Sequence, residues 1–162
     1  MSVRVGIGYD SHRFAAGKPL RLGGVTVPHT HGLVGHSDGD VALHAVVDAL
    51  LGAAGLGDIG QHFRDDAPRW KGVDSLVFAR AVQELLAGAG LAVAQVDVTL
   101  ICERPKLAAH VPSMREATAK ALGIEPPAVN IKAKTNEGMG WIGRGEGIAA
   151  IAVATVRAAT PV

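Results

Sequence analysis

The segment Ile148 to Val156, near the end of the chain, is apolar at every position except Thr155. A strand with one face in water alternates apolar and polar residues, so a run of this kind demands cover on both sides. Either this strand lies centrally in a sheet or its second face meets another subunit. Apolar residues make up 48% of the chain and aromatics only 4%, so the core is built chiefly of small side chains that let elements approach closely. At 162 residues the chain can bury such a core without disulfide or structural-metal staples, and a single domain over residues 1–162 is expected.

Local signals place the other elements. Val3 to Tyr9 reads as a strand, and Leu20-Arg21 and Val25-Thr26-Val27 flank Gly23-Gly24 as a hairpin. A glycine-rich loop from Gly32 to Gly39 precedes a helix expected from about Asp40 to Ala54, capped by Ser37 or Asp38 and stopped by Gly55. A polar stretch through Gly72, too irregular for core, leads to a second helix from about Asp74 to Ala89. Val93 to Ile101 alternates, with Val96, Val98 and Leu100 opposite Asp97 and Thr99, as in a half-buried strand. Pro112 can open a third helix ending at Leu122, and Val129 to Lys134 reads as a strand before the glycine-rich loop Asn136 to Gly147. Hairpin strands mixed with three helices imply an α+β fold, a mixed β-sheet covered by helices on one face. The other face is left needing cover.

Chemistry gathers where the first apolar run ends. Residues two apart in a strand share a face, about 7 Å along the backbone, so Asp10 and His12 enter one space. His44, on the first helix, offers a third N/O donor. Such a set can hold a zinc with its fourth position open, relay a proton, or form ordinary hydrogen bonds. His36, Ser37, Asp38 and Asp40 cluster nearby, the last three as helix caps or as site groups. Asp48, one turn past His44, is placed to orient that imidazole or to pair with a surface base. Just past the strand that ends at Ile101, Glu103-Arg104-Pro105-Lys106 is either a solvated loop or a turn that reaches an anion. The run Lys132 to Gly138 lines up lysine, hydroxyl and carboxylate, a set suited to a phosphate and its magnesium. Gly143 to Gly147 is either a backbone open to close approach or a tight turn with an exposed Arg144–Glu146 pair.

Sixteen basic and 15 acidic residues leave a net charge of +1. No broad basic field results, which argues against nucleic acid or an anionic membrane as partner, and any anion is bound locally. The single cysteine, Cys102, closes no disulfide within the chain. No charged-then-apolar N-terminal signal and no apolar run of about twenty residues is seen, so a soluble cytoplasmic protein is expected. Gly-x-Ser-x-Gly, Walker and Rossmann patterns are missing. Metals, lysines, hydroxyls and glycine-exposed amides equip phosphoryl transfer by positioning and charge neutralisation.

On particular motifs the sequence resembles the 2-C-methyl-D-erythritol 2,4-cyclodiphosphate synthase family of the non-mevalonate isoprenoid pathway. These are Gly8-Tyr9-Asp10-Ser11-His12, Gly35 to Asp40 followed by Leu43-His44, Leu56 to Gly60 with His62-Phe63, Pro105-Lys106, Lys132 to Glu137, and Gly143 to Ile148. The match spans nearly the whole chain. It implies a homotrimer around a threefold axis, with active sites at subunit interfaces and the bare sheet face covered. It also implies a cytidine diphosphate-linked substrate, 4-diphosphocytidyl-2-C-methyl-D-erythritol 2-phosphate, whose 2-phosphate attacks the β-phosphorus so that CMP leaves.

Carried over by motif, Asp10, His12 and His44 match ligands of a zinc, one per active site. Glu137 matches the protein ligand of a magnesium or manganese on the diphosphate. His36 and Thr135 match groups that stabilise charge at phosphorus, with Ser37 nearby. Asp58 and Gly60 match the ribose contacts, and Phe63, Asp65 and Asp66 the methylerythritol loop. The stretch Cys102 to Ala108, with Lys106, matches the cytidine pocket contributed by the neighbouring subunit. Lys134, Asn136 and Trp141 are further substrate-binding positions, and Arg144 and Glu146 match the central cavity, where prenyl diphosphates are proposed to bind. Three residues depart from the pattern: Arg64 stands where proline is common, and Lys134 and Trp141 where threonine and phenylalanine are common. Beside the cyclase stand two alternatives, a metal-dependent phosphohydrolase with water as nucleophile and a trimeric binding protein for isoprenoid diphosphates.

Overall fold

The computed structural model describes residues 3–159. Seven strands are formed: β1 (Val3–Ala16), β2 (Leu20–Leu22), β3 (Val25–Val27), β4 (His31–Leu33), β5 (Leu91–Ile101), β6 (Val129–Lys134) and β7 (Gly147–Ala158). Three longer helices, α1 (Val41–Ala54), α3 (Leu76–Gly88) and α4 (Val111–Leu122), are joined by the single turns α2 (Ile59–His62) and α5 (Gly140–Gly143). Five strands make one sheet in the order β4-β1-β7-β5-β6, antiparallel except for the β5–β6 pair, and β2–β3 form a separate hairpin. The expected α+β layering is observed, with helices packed on one face of a mixed sheet.

The apolar strand β7 lies at the centre of this sheet. Its inner residues Ile148, Ala150, Ala152, Ala154 and Val156 are buried under the helices. Its outer residues Ile151 and Val153 are exposed, so the central position in the sheet accounts for the apolar residues of its inner face only. Alongside, β1 turns Val3, Val5, Ile7 and Tyr9 outward at 58, 64, 70 and 58% exposure. These residues sit in register with β7, Ile7 opposite Val153 and Tyr9 opposite Ile151. They form one apolar face with nothing over it among the described residues.

On its inner side β1 carries Gly6 and Gly8, and a Cβ on either would overlap the backbone carbonyl of Ala49 or Ala45 in α1. These two glycines let the helix lie directly on the strand. Helix α1 is apolar almost all round, with 11 of 14 residues buried, as befits a helix enclosed between a sheet and other helices. Amphipathic α3 instead buries one stripe, Phe78, Ala79, Val82 and Leu86.

Several local expectations need correction. Strand β1 does not stop at Tyr9. It stays paired with β7 through Arg13–Gly147 and then with β4 through Ala16, so Asp10 and His12 lie inside a strand. The α1 cap is Asp40, whose Oδ1 accepts from Leu43 N at 3.0 Å, rather than Ser37 or Asp38. Asp40 also accepts from Gly23 N at 2.9 Å and Gly24 N at 2.7 Å, which pins the β2–β3 turn to the helix. The stretch from 61 to 72 supplies core after all. Phe63 is buried, and its ring packs 4.6 Å from Phe78 and 5.4 Å from Trp70.

Candidate active site

Alternation along β1 puts Asp10 and His12 on the same inner face as Gly6 and Gly8, under α1. There the first turn of α1 brings His44 to meet them. His12 Nε2 lies 2.9 Å from Asp10 Oδ2, His44 Nδ1 lies 3.0 Å from the same oxygen, and the two ring nitrogens are 3.1 Å apart. Three donor atoms thus form a nearly equilateral triangle. Ligand bonds of about 2.0–2.1 Å in a tetrahedral zinc site place the ligand atoms roughly 3.3 Å from one another, close to the spacing here. One oxygen and two imidazole nitrogens suit a divalent transition metal, and the set fits such an ion.

Electrostatics agree. Burial alone raises the Asp10 pKa, but close contact with the His12 and His44 imidazoles outweighs it and holds the carboxyl at about 2. Burial lowers His12, yet Asp10 overcomes this and raises it above its usual value. Behind the triangle, His44 Nε2 lies 2.9 Å from both Ser37 Oγ and Ser75 Oγ.

The trio opens into a cleft of about 320 Å³ that also takes His36, Ser37, Gly60, Phe63 and Asp65, with Tyr9, Trp70 and Phe78 as walls. Asp58 stands beside it as the cap of α2, its Oδ1 accepting from Gln61 N at 3.0 Å. Asp48 lines the cleft, but its Oδ1 accepts from Ile59 N at 3.1 Å and so anchors α2; no hydrogen bond between it and the His44 ring is found among the described residues. Asp66 turns outward, exposed and 2.6 Å from Arg64.

A second cluster forms at the ends of the parallel strands β5 and β6. Glu103 Oε1 accepts from Asn136 N at 2.8 Å and from Gly138 N at 3.2 Å. This seats the loop bearing Cys102, Lys106 and Ala108 beside Thr135, Asn136 and Glu137. Thr135 Oγ1 donates to Glu137 Oε1 at 3.3 Å, and Glu137 has a positive φ of 52°. The Cys102 thiol is buried, and that burial, with the Glu103 charge, pushes it up to about 11. Lys134 projects from the outer face in register with Ile101. Trp141 and Glu146 border a hollow of about 250 Å³ with Ser11, His12 and Arg13, and Arg144 pairs with Glu146.

The two clusters do not meet within one chain. Asp10 pairs with Ala150, Ala150 with Leu100, and Leu100 with Ala133, so three strand spacings, roughly 14 Å, separate β1 from β6. Sequence reasoning placed Glu103 in a charged turn without its grip on the Asn136 and Gly138 amides, and it missed Ser75 and the aromatic walls Trp70 and Phe78. Ser75 carried a signal, a serine at the start of a helix, but its partner His44 is 31 residues away.

Comparison with known proteins gives a consistent result. The YgbB family model matches residues 3–157. A 2-C-methyl-D-erythritol 2,4-cyclodiphosphate synthase of Symbiobacterium thermophilum is 57% identical over 152 residues, covering 94% of this chain and 97% of that protein. The protein of the same name from Bordetella petrii is 55% identical over 157 residues, covering 97% of each. Among solved structures, a 2C-methyl-D-erythritol-2,4-cyclodiphosphate synthase with CDP bound superposes with a TM-score of 0.87 at 38% identity, over 95% of this chain and all of that one. The bifunctional IspDF of Campylobacter jejuni superposes with a TM-score of 0.89 at 34% identity, over 97% of this chain and 42% of its own.

Proposed function

The chain belongs to the YgbB family, and from that premise we infer the reaction it performs. It is a 2-C-methyl-D-erythritol 2,4-cyclodiphosphate-forming cyclase, a phosphorus–oxygen lyase of non-mevalonate isoprenoid-precursor synthesis. The substrate we assign is 4-diphosphocytidyl-2-C-methyl-D-erythritol 2-phosphate. An oxygen of the 2-phosphate forms a bond to the β-phosphorus, the bond from that phosphorus to the bridging oxygen breaks, and CMP leaves with the oxygen. No water enters the product.

The single observation that carries this reading is the Asp10–His12–His44 triangle at the mouth of the cleft. These three residues would hold a zinc, with Glu137 offered to a magnesium or manganese on the diphosphate. Bound there, divalent cations neutralise charge that accumulates on the phosphoryl oxygens, which a chain of net charge +1 supplies only locally. His36 and Thr135 donate to those oxygens, and the Ser37 hydroxyl faces the same space. Gly60 and Asp58 present backbone and carboxylate to the ribose. Phe63 and Asp65 shape the methylerythritol end, with Asp66 on the loop beyond. Cys102, Lys106 and Ala108 take the cytidine, Lys134, Asn136 and Trp141 flank the diphosphate, and Arg144 and Glu146 line a central cavity.

Separation of the two clusters supports a homotrimer with active sites at subunit interfaces, since a neighbour's β5–β6 ends can complete what one chain leaves open. The uncovered apolar face of β1 and β7 supports it as well. We assign the chain to one domain and to the cytoplasm; no helix among the described residues is long and apolar enough to cross a membrane.

CMP release from the cytidylated substrate, assayed with and without a chelator, tests reaction class and metal dependence together. Activity should vanish on chelation and return with zinc and magnesium. His12→Ala should abolish zinc binding and nearly all turnover. Full activity of that variant without bound metal, or solvent oxygen-18 in the product, would sink the reading, the latter in favour of a phosphohydrolase.

A further inference from the structure

We propose that Ser75, braced by Asp38, is a positioning residue of the metal site: it fixes the His44 ring so that Nδ1 faces Asp10 and His12, while the Ser37 hydroxyl, 3.4 Å from Ser75 Oγ, lines the cleft. The proposal rests on the metal-site reading given above. Both serine hydroxyls lie 2.9 Å from His44 Nε2, but a ring N–H has one hydrogen to donate. The competition is decided by what else each hydroxyl does. Ser75 Oγ donates its hydrogen to Asp38 Oδ1, while the Ser75 amide donates to Asp38 Oδ2 at 3.1 Å. A hydroxyl whose hydrogen is committed to a carboxylate turns only lone pairs to its other neighbour. Ser75 therefore accepts from His44, and the proton belongs on Nε2.

With Nε2 protonated, the free lone pair of the ring sits on Nδ1, the atom 3.0 Å from Asp10 Oδ2 and 3.1 Å from His12 Nε2. A metal-binding imidazole whose other nitrogen is tied to a fixed acceptor has its tautomer and orientation set in advance. Exposure divides the two serines the same way. Ser75 is fully buried and takes no part in lining the cleft, whereas Ser37 is half-buried and lines it. Asp38 is held in turn. It accepts from Asp40 N at 3.1 Å, and its Oδ2 lies 3.7 Å from the Arg21 guanidinium, which also donates to Asp74 at 2.9 Å and to Gly24 O at 3.0 Å. The β2–β3 hairpin thus holds the carboxylate that holds the serine that holds the imidazole.

Zinc affinity measured against a chromophoric chelator, for the wild type, Ser75→Ala and Ser37→Ala, tests the division of labour. Ser75→Ala should bind zinc about 10–100-fold more weakly, and Ser37→Ala should bind it as the wild type does. In the cobalt-loaded protein, the His44 ring N–H should appear as a proton resonance protected from solvent exchange, retained in Ser37→Ala and lost in Ser75→Ala. Equal zinc affinity in the wild type and Ser75→Ala overturns the positioning role. Absence of zinc binding by the wild type overturns the metal site and this role with it. If Ser75→Ala does not fold by circular dichroism, the cobalt-loaded Ser37→Ala protein decides: a protected His44 N–H retained there upholds Ser75 as its acceptor and its loss overturns the assignment.

Discussion

Asp10 and His12 have been moved in opposite directions by the same contact, and the consequence is a metal site that weakens in acid. With its carboxyl held at about 2, Asp10 stays ionised throughout the working range. His12 is raised above 6.5, so its proton is retained to higher pH and must leave before the nitrogen can bind a metal. Zinc affinity should be full above the His12 pKa and fall as pH drops through it, by about tenfold per pH unit for one displaced proton. Chelator competition from pH 8 to pH 5 checks this; a flat profile would remove His12 from the ligand set. Asp40 was legible as a helix-start residue, but its grip on the Gly23 and Gly24 amides was not, because no local pattern announces a contact made 16 or 17 residues away. Asp40→Ala removes a cap and strands two amides, which should cost roughly 2–4 kcal/mol in urea unfolding.

At the scale of elements, capping residues, glycine stops, apolar runs and, for β5, alternation located most strands and helices. They failed where tertiary pairing extends an element. Nothing between Asp10 and Ala16 reads as strand by propensity; the segment is extended because β7 and then β4 supply hydrogen-bonding edges. The polar stretch before α3 hid Phe63 and Trp70 for a related reason, since two aromatics in an irregular segment have no period. The contact that sets the site is β1 against α1, and it depends on residues with no side chain at all. Gly8→Val should push α1 off the strand at the Ala45 carbonyl, at a cost of about 3 kcal/mol or more. Thermal unfolding should show the loss, and zinc affinity should fall with it because His44 lies one residue before Ala45. Wild-type stability in this variant would mean that the strand and helix are not in close contact.

For the whole molecule, the sequence already implied that one sheet face needs cover, since the segment from Ile148 to Val156 is apolar on both sides. Composition cannot say what provides the cover. The outer residues of β1 and β7 face outward in the single chain, and the second cluster sits three strands from the first. If the proposed trimer forms through this face, placing a charge at the most exposed of these residues, Ile7→Asp, should convert it to monomers in sedimentation and abolish CMP release. Zinc binding should survive, because the triangle lies on the opposite face of the same strand. A variant that remains trimeric and active would show that assembly uses another surface.

That last separation follows from β1 carrying two interleaved messages, one on its even-numbered residues and one on its odd. Gly6, Gly8, Asp10 and His12 speak to the helix and the candidate metal site; Val3, Val5 and Ile7 speak to whatever covers the sheet. Single substitutions can edit either message without disturbing the other. Insertion or deletion of one residue upstream of Asp10 exchanges their readers at once, sending isoleucine and valine against α1 and glycine outward. In a lineage that inherits this strand, side chains are free to drift within each parity class, while its length is frozen against any odd-numbered change.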